Sequence, residues 1–217
     1  MAQFAVIGLG RFGAAAALEL VKMGHRVLGV DGDEKLVQKY ADRLDRTVIA
    51  DVSDGPTVEE LGLEHYDVVL VAIGENMQAS LLCVVHLKTL GIQTIWVKAS
   101  SHAHHLILNR LGVARVIHPE EEMGVRVAQA LSYPMIDDYI SLGNGEFVVE
   151  IRVSDKLEGQ TLSGIFKGSP DEPKALVLKH RSQAVVYPPP DHVLHSKDIL
   201  VLYGTLSSLR ALAPKLA

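Results

Sequence analysis

Three glycines in the run Gly8-Leu9-Gly10-Arg11-Phe12-Gly13 separate an apolar run, Phe4-Ala5-Val6-Ile7, from a segment of helical character, Ala14 to Lys22. This junction most constrains what the chain can fold into. A strand that turns at once into a helix packed on its own sheet needs residues without side chains at fixed places. Gly8 suits the tight turn, Gly10 lets a phosphate approach the backbone, and Gly13 lets the helix sit close to the strand. The helix N-terminus then offers unpaired N–H groups to an anion. Asp31 lies 23 positions after Gly8, where the second strand ends, and can accept hydrogen bonds from ribose hydroxyls. Its surroundings, Asp31-Gly32-Asp33-Glu34, contain no arginine for a 2′-phosphate, which disfavours NADP. Residues from Ala2 to about Ser132 are therefore expected to form a domain that binds an adenine nucleotide.

The rest of that region keeps the same rhythm. Further strand-like runs are Arg26 to Val30, Thr47 to Ala50, Val68 to Val71, Thr94 to Val97 and Arg115 to Ile117. Between them apolar residues recur at helical spacing, as at Leu18 and Val21 and at Leu81, Val84, Val85 and Leu87. Gly24, Gly62, Gly91 and Gly112 stand where left-handed helix C-caps belong. Near-continuous hydrophobic strands are the mark of a parallel sheet covered on both faces. The fold class is α/β, a Rossmann-type doubly wound parallel sheet.

The pattern changes near Ser132-Tyr133-Pro134, where proline disfavours helix in the residue before it and ends a helix begun around Glu120. Strand-like runs then follow at Phe147 to Val153, Lys174 to Lys179, Ala184 to Tyr187 and Asp198 to Tyr203. Arg181-Ser182-Gln183 reads as a hairpin turn, with short helices at Thr161 to Phe166 and Leu206 to Leu216. The domains are thus 1–133, binding nucleotide, and 134–217, a small α+β C-terminal domain. A piece of roughly 80 residues is expected to lean on a neighbour or a second copy.

Charge narrows the partners. The net charge is −5, and neither half is basic, so no nucleic-acid partner is expected. No basic, apolar leader and no stretch of about 18 apolar residues is present, so any tie to a membrane is expected to run through a partner. The single cysteine, Cys83, lies among Leu81, Leu82, Val84 and Val85, reads as a buried thiol and fits a reducing cytoplasm. His102, His104 and His105 cluster at a helix start, but neighbouring positions cannot share one helical face, which argues against zinc.

Three segments together carry a family resemblance: Phe4 to Gly13, Val71-Ala72-Ile73-Gly74-Glu75-Asn76-Met77-Gln78-Ala79-Ser80, and Ile117-His118-Pro119-Glu120-Glu121-Glu122-Met123-Gly124-Val125-Arg126. They resemble the RCK proteins, regulatory subunits of bacterial Ktr and Trk potassium uptake systems, and the KtrA type most. The resemblance spans nearly the whole chain and is looser in the tail. It implies a cytoplasmic homo-oligomeric ring, often an octamer, peripheral on the inner face of the membrane. There it would sit under a membrane-embedded potassium-translocating subunit of the KtrB or TrkH type. Exchange of ATP for ADP would change the ring and gate the pore, with no catalysis.

The resemblance also implies nucleotide contacts at Phe12, Ala72, Ile73, Gly74 and Lys98. Arg11 matches an arginine that reaches a terminal phosphate across a subunit boundary; a guanidinium suits phosphate oxygens, but a solvated helix-start residue is the other reading. Glu120 matches a glutamate near the phosphates, where Mg2+ or another cation would have to intervene; the alternative is an acid stabilising a helix N-terminus. Asp33 departs from the asparagine common at this place, which leaves its ribose role open. Asp51 either approaches the adenine or caps a strand end. Some relatives bind cyclic di-AMP in the C-terminal domain; Ile165, Phe166 and His180 fall in suitable segments, with core packing as the plainer reading.

Two other functions remain open on the residues. An NAD-dependent oxidoreductase, or an NAD(H)-sensing Trk-type subunit, would use the same glycine loop. For the enzyme, His118 beside Glu120 is the one pairing to test. A DNA-binding repressor lacks a basic helix-turn-helix segment.

Overall fold

The computed structural model describes residues 1–132, 136–167 and 171–216. They form two compact units, Met1–Glu122 and Met123–Ala217.

The first unit alternates strand and helix: β1 (Gln3–Ile7), α1 (Arg11–Lys22), β2 (Arg26–Asp31), α2 (Glu34–Tyr40), β3 (Arg46–Ile49), α3 (Gly55–Glu60), β4 (Val68–Val71), α4 (Met77–Thr89), β5 (Ile95–Lys98), α5 (His102–Arg110) and β6 (Arg115–Ile117). The sheet order is β3-β2-β1-β4-β5-β6, with every pair parallel. The order reverses between β1 and β4, so both outgoing chains turn away and leave a crevice at the carboxyl ends of these strands. Alternate residues of β1 explain why the run is apolar throughout. Ala5 and Ile7 enter one core with Val69, Val71, Val84 and Leu87, whereas Val6 faces the other with Ala14, Ala17 and Val27.

The four expected cap glycines all adopt left-handed φ, from +65° at Gly62 to +85° at Gly24. The expected strands and helices are present, with ends shifted by a few residues: α1 begins at Arg11 rather than Ala14, because Gly10 is its N-cap. The helix expected from Glu120 is α6 (Pro119–Ser132), with proline in its first turn. The division between the units falls inside α6, and the expected domain boundary at 133/134 lies outside the described residues, as does Pro134.

The second unit is antiparallel: β7 (Ile136–Gly143), β8 (Glu146–Arg152), α7 (Leu162–Phe166), β9 (Lys174–His180), β10 (Gln183–Val186), β11 (Ile199–Thr205) and α8 (Leu206–Leu216), with sheet order β10-β9-β11-β8-β7. The sequence reading missed β7. Its apolar alternation is interrupted by Asp137-Asp138, and a register shift between Ile136 and Asp138 absorbs the break. The hairpin turn between β9 and β10 is only Arg181-Ser182; Gln183 pairs with His180, and Tyr187 leaves the strand with φ +51°.

The closest backbone approach is at the glycine loop. A Cβ on Gly13 would lie 1.9 Å from the Gly8 carbonyl oxygen, and neither atom belongs to a flexible side chain. Gly13→Ala should therefore push α1 off β1 and cost about 3 kcal/mol of stability by overpacking. Urea denaturation checks this, and an unchanged midpoint would mean that helix and strand do not pack this closely.

Candidate functional site

The glycine loop is held by the strand beside it. Gly8 takes φ +96°, and its N–H donates to the Val30 carbonyl at 2.7 Å. The next amide, Leu9, donates to Asp31 Oδ2 at 2.6 Å, while Asp31 Oδ1 accepts from the Asp33 amide at 2.9 Å. Asp31 thus stands at the end of β2 beside the loop and fixes the loop's shape. On the other side a Gly8 Cβ would meet the Ala72 carbonyl carbon at 3.0 Å and the Ile73 nitrogen at 3.1 Å. The residues after β4 therefore wall the turn.

Gly10 differs from its two neighbours, since a Cβ there would meet nothing within 4 Å. Its lack of a side chain leaves open space over the start of α1. That helix has no side-chain cap and no acid in its first turn, so its positive end is uncompensated by its own residues. A helix of 12 residues ending this way suits an anion. The described residues fit the phosphates of a nucleotide.

Further along the sheet, Lys98 at the end of β5 reaches Glu120 in the first turn of α6, Nζ to Oε1 at 2.5 Å. The lysine side chain is only 13% exposed and the glutamate 70%. Gly74 makes room, since a Cβ there would press on Lys98 Nζ at 3.1 Å, and the Phe12 ring centre lies 5.9 Å from the same nitrogen. The Lys98 hydrogen bond is the main reason why the Glu120 carboxyl is held below its usual 4.5; burial opposes it, while its own amide, the Lys98 charge and the Arg11 charge add to it. Arg11 itself is exposed. A cavity of about 230 Å³ lies beside the pair, with His118, Ser100 and Glu121 also on its wall.

Other candidates find structural partners. Asp33 caps α2 by accepting from the Lys35 amide at 2.9 Å. Asp51 accepts from the Ser53 hydroxyl at 2.6 Å and amide at 3.0 Å, and these bonds hold its carboxyl below 3.8. Cys83 is fully buried, which pushes its thiol up to about 12. His104 is buried in the core and its Nδ1 accepts from the Ser100 amide at 3.2 Å. Among the described residues no three His, Cys, Asp or Glu side chains are placed to hold a metal. In the second unit Ile165 and Phe166 pack into the core, and His180 bonds buried Asp198 at 2.6 Å.

The sequence reading missed the Asp31–Leu9 bond, because a side chain that reaches back 22 residues to a backbone amide leaves no mark in a motif.

A TrkA-N domain profile matches residues 4–119, which include the glycine loop, Asp31, Ala72, Ile73, Gly74, Lys98 and His118 but not Glu120 or Glu121. The chain belongs to the TrkA-N, or RCK, family. It is 40% identical over 202 residues to the Ktr system potassium uptake protein A of Bacillus subtilis, covering 93% of this chain and 91% of that one. The GsuK RCK domain crystal structure covers all of this RCK chain with TM-score 0.66 at 16% identity, and this chain spans 48% of its length. A GsuK channel structure bound to NAD gives TM-score 0.61 at 15% identity, with 100% of this chain and 39% of that one covered. At such identity the two structures speak for the fold alone. No helix among the described residues is long and apolar enough to cross a membrane.

The carboxylate makes the pair testable. Because Glu120 is depressed in the folded state, its ion-pair contribution to stability is present above pH 4.5 and is lost as pH falls through the lowered folded value. Lys98→Met should bring the Glu120 carboxyl back up toward 4.5 in an NMR titration and remove that part of the acid dependence. An unmoved titration would show that Lys98 is not its main partner.

Proposed function

We propose that this RCK chain is a non-catalytic regulatory subunit of a bacterial potassium uptake system, gated by an adenine nucleotide. The observation that carries the reading is the uncapped α1 terminus under Gly10, framed by Asp31 at the next strand. Asp31 would take the ribose, with Asp33 and Asp51 at the rim of the same strand ends. Gly8, Gly10, Phe12 and Gly13 would take the phosphates on backbone amides, against the wall formed by Ala72, Ile73 and Gly74. Likeness across nine-tenths of a Ktr potassium uptake protein supplies the potassium context.

In this reading residues 1–133 bind nucleotide and residues 134–217 form the C-terminal domain. ATP and ADP favour different assemblies because only ATP offers a third phosphate for the exposed Arg11. A cation such as Mg2+ beside a triphosphate would share the Glu120 carboxylate with Lys98. The assembly is a homo-oligomer, an octameric ring, against a KtrB- or TrkH-type subunit on the inner face of the membrane. Support for assembly comes from α6, which buries none of its residues and exposes Met123, Val125, Val127 and Leu131.

NAD(H) is the second reading. Asp31 suits any adenosine ribose, and a related fold carries NAD in the GsuK channel. ATP, ADP and NADH share the adenosine diphosphate that the loop would hold, so the loop does not separate them.

Calorimetric titration of the stripped protein with ATP, ADP and NADH, paired with light scattering, tests the proposal. Tight ATP and ADP binding to an oligomer with different shapes is the expected result. Arg11→Ala should weaken ATP more than ADP, and Asp31→Ala should weaken every adenine nucleotide by about 1–3 kcal/mol through lost charged hydrogen bonds. NADH binding without ATP binding moves the subunit to the NAD(H)-sensing kind, and a monomer of 23.6 kDa overturns the ring.

A further inference from the structure

On the far side of the Lys98 cavity a line of hydrogen bonds runs from α5 to the end of β6. His105 Nδ1 lies 2.8 Å from His118 Nε2, and the Asn109 amide nitrogen lies 2.7 Å from His105 Nε2. A bond between two nitrogens needs one proton and one lone pair. The amide nitrogen of Asn109 can only donate, so His105 Nε2 accepts. A neutral His105 then carries its proton on Nδ1 and donates it to His118 Nε2. It follows that His118 carries its own proton on Nδ1.

Among the described residues that N–H has no acceptor at bonding distance. The nearest carboxylate oxygen, Glu121 Oε2, is 3.9 Å away, too long for a hydrogen bond, and Glu121 and His118 line the same cavity. The His118 side chain is 23% exposed. Its position on the sheet also matters. In the order β2-β1-β4-β5-β6 the ribose end belongs to β2 and the diphosphate to β1. Neighbouring strands are about 4.8 Å apart, so the end of β6, from which His118 extends, lies about 14 Å along the sheet from the glycine loop. Only the outer part of a nucleotide longer than a diphosphate extends there. The cavity carries two carboxylates, the Lys98 ammonium bonded to one of them, and the Ser100 and Ser101 hydroxyls, and the His118 ring adds a donor on the same wall.

We propose that Asn109 and His105 are positioning residues that fix His118 as an Nδ1–H donor to an oxygen on the outer part of the bound nucleotide. The inference rests on the nucleotide reading above. The oxygen belongs either to a terminal phosphoryl group or to the carboxamide of a nicotinamide; both are acceptors.

The test uses the full chain, 15N-labelled on histidine, at pH 8. Long-range 1H–15N spectra should show a protonated Nδ1 and a bare Nε2 on His118. His105→Leu should release the ring and move protonation toward Nε2. The same variant should weaken ATP or NAD+ about five- to tenfold, the worth of one neutral hydrogen bond, and leave ADP within about twofold. His105→Gln, whose amide can donate to His118, should restore both readouts. Loss confined to ATP assigns the phosphoryl oxygen, and loss confined to NAD+ assigns the carboxamide. A wild-type His118 protonated on Nε2 overturns the proposal, as does a His105→Leu variant that changes ATP, ADP and NAD+ equally or not at all. Failure of the wild-type protein to bind any of the three overturns the nucleotide reading itself, and this proposal with it.

Discussion

The approach of α1 to β1 is the contact on which the site depends. A parallel sheet leaves its strand ends pointing into the turns that follow, and here the first turn has to reverse within three residues and still let a helix lie on the sheet. Gly8 and Gly13 make that possible, because a side chain on Gly13 would occupy the space of the Gly8 carbonyl oxygen. The helix then starts at Arg11, with Gly10 as an N-cap that offers no capping side chain and leaves open space beside it. Substituting a helix-forming residue for Gly13 would favour α1 as an isolated helix, yet disfavour it in this packing. Tertiary context wins because a backbone clash outweighs a helix propensity difference of about 1 kcal/mol.

The loop's shape is completed from β2. Asp31 accepts from Leu9 and Asp33, so one carboxylate joins the glycine loop to the residues that follow β2. Both contacts use backbone donors, so the acid is oriented whether or not a ligand is present. Farther along, Lys98 and Glu120 connect the end of β5 to the first turn of α6. Exposed pairs of this kind contribute little to stability, typically under about 1 kcal/mol. The nearly buried lysine nonetheless fixes where the carboxylate stands beside the cavity.

The second unit solves a different problem with the same means. Its sheet is antiparallel, and the alternating burial of β11 places Leu200 and Leu202 in the core. Asp198, 2% exposed at the start of that strand, is satisfied by His180 and by the His195 amide. Buried carboxylates are tolerated when their lone pairs are occupied in this way. Ile165 and Phe166 are core residues of this unit.

The amino-acid sequence by itself determined the six-stranded parallel sheet, the glycine loop and the acid at the end of β2. These features follow from local spacing: continuous apolar runs, glycines where φ is positive, and an acid one strand beyond the loop. It was silent where distant segments meet. β7 escaped because two adjacent aspartates break its alternation, and only pairing with β8 across a register shift makes it a strand. Asp33 reads as a ligand in the sequence, whereas the fold also uses it to cap α2. The tertiary structure alone decided that Asp31 holds the Leu9 amide, that Lys98 meets Glu120, and that His105 meets His118. Each of these contacts joins residues 13 to 22 positions apart. Their distances are set by the stacking of neighbouring strands, which residue spacing along the chain does not encode.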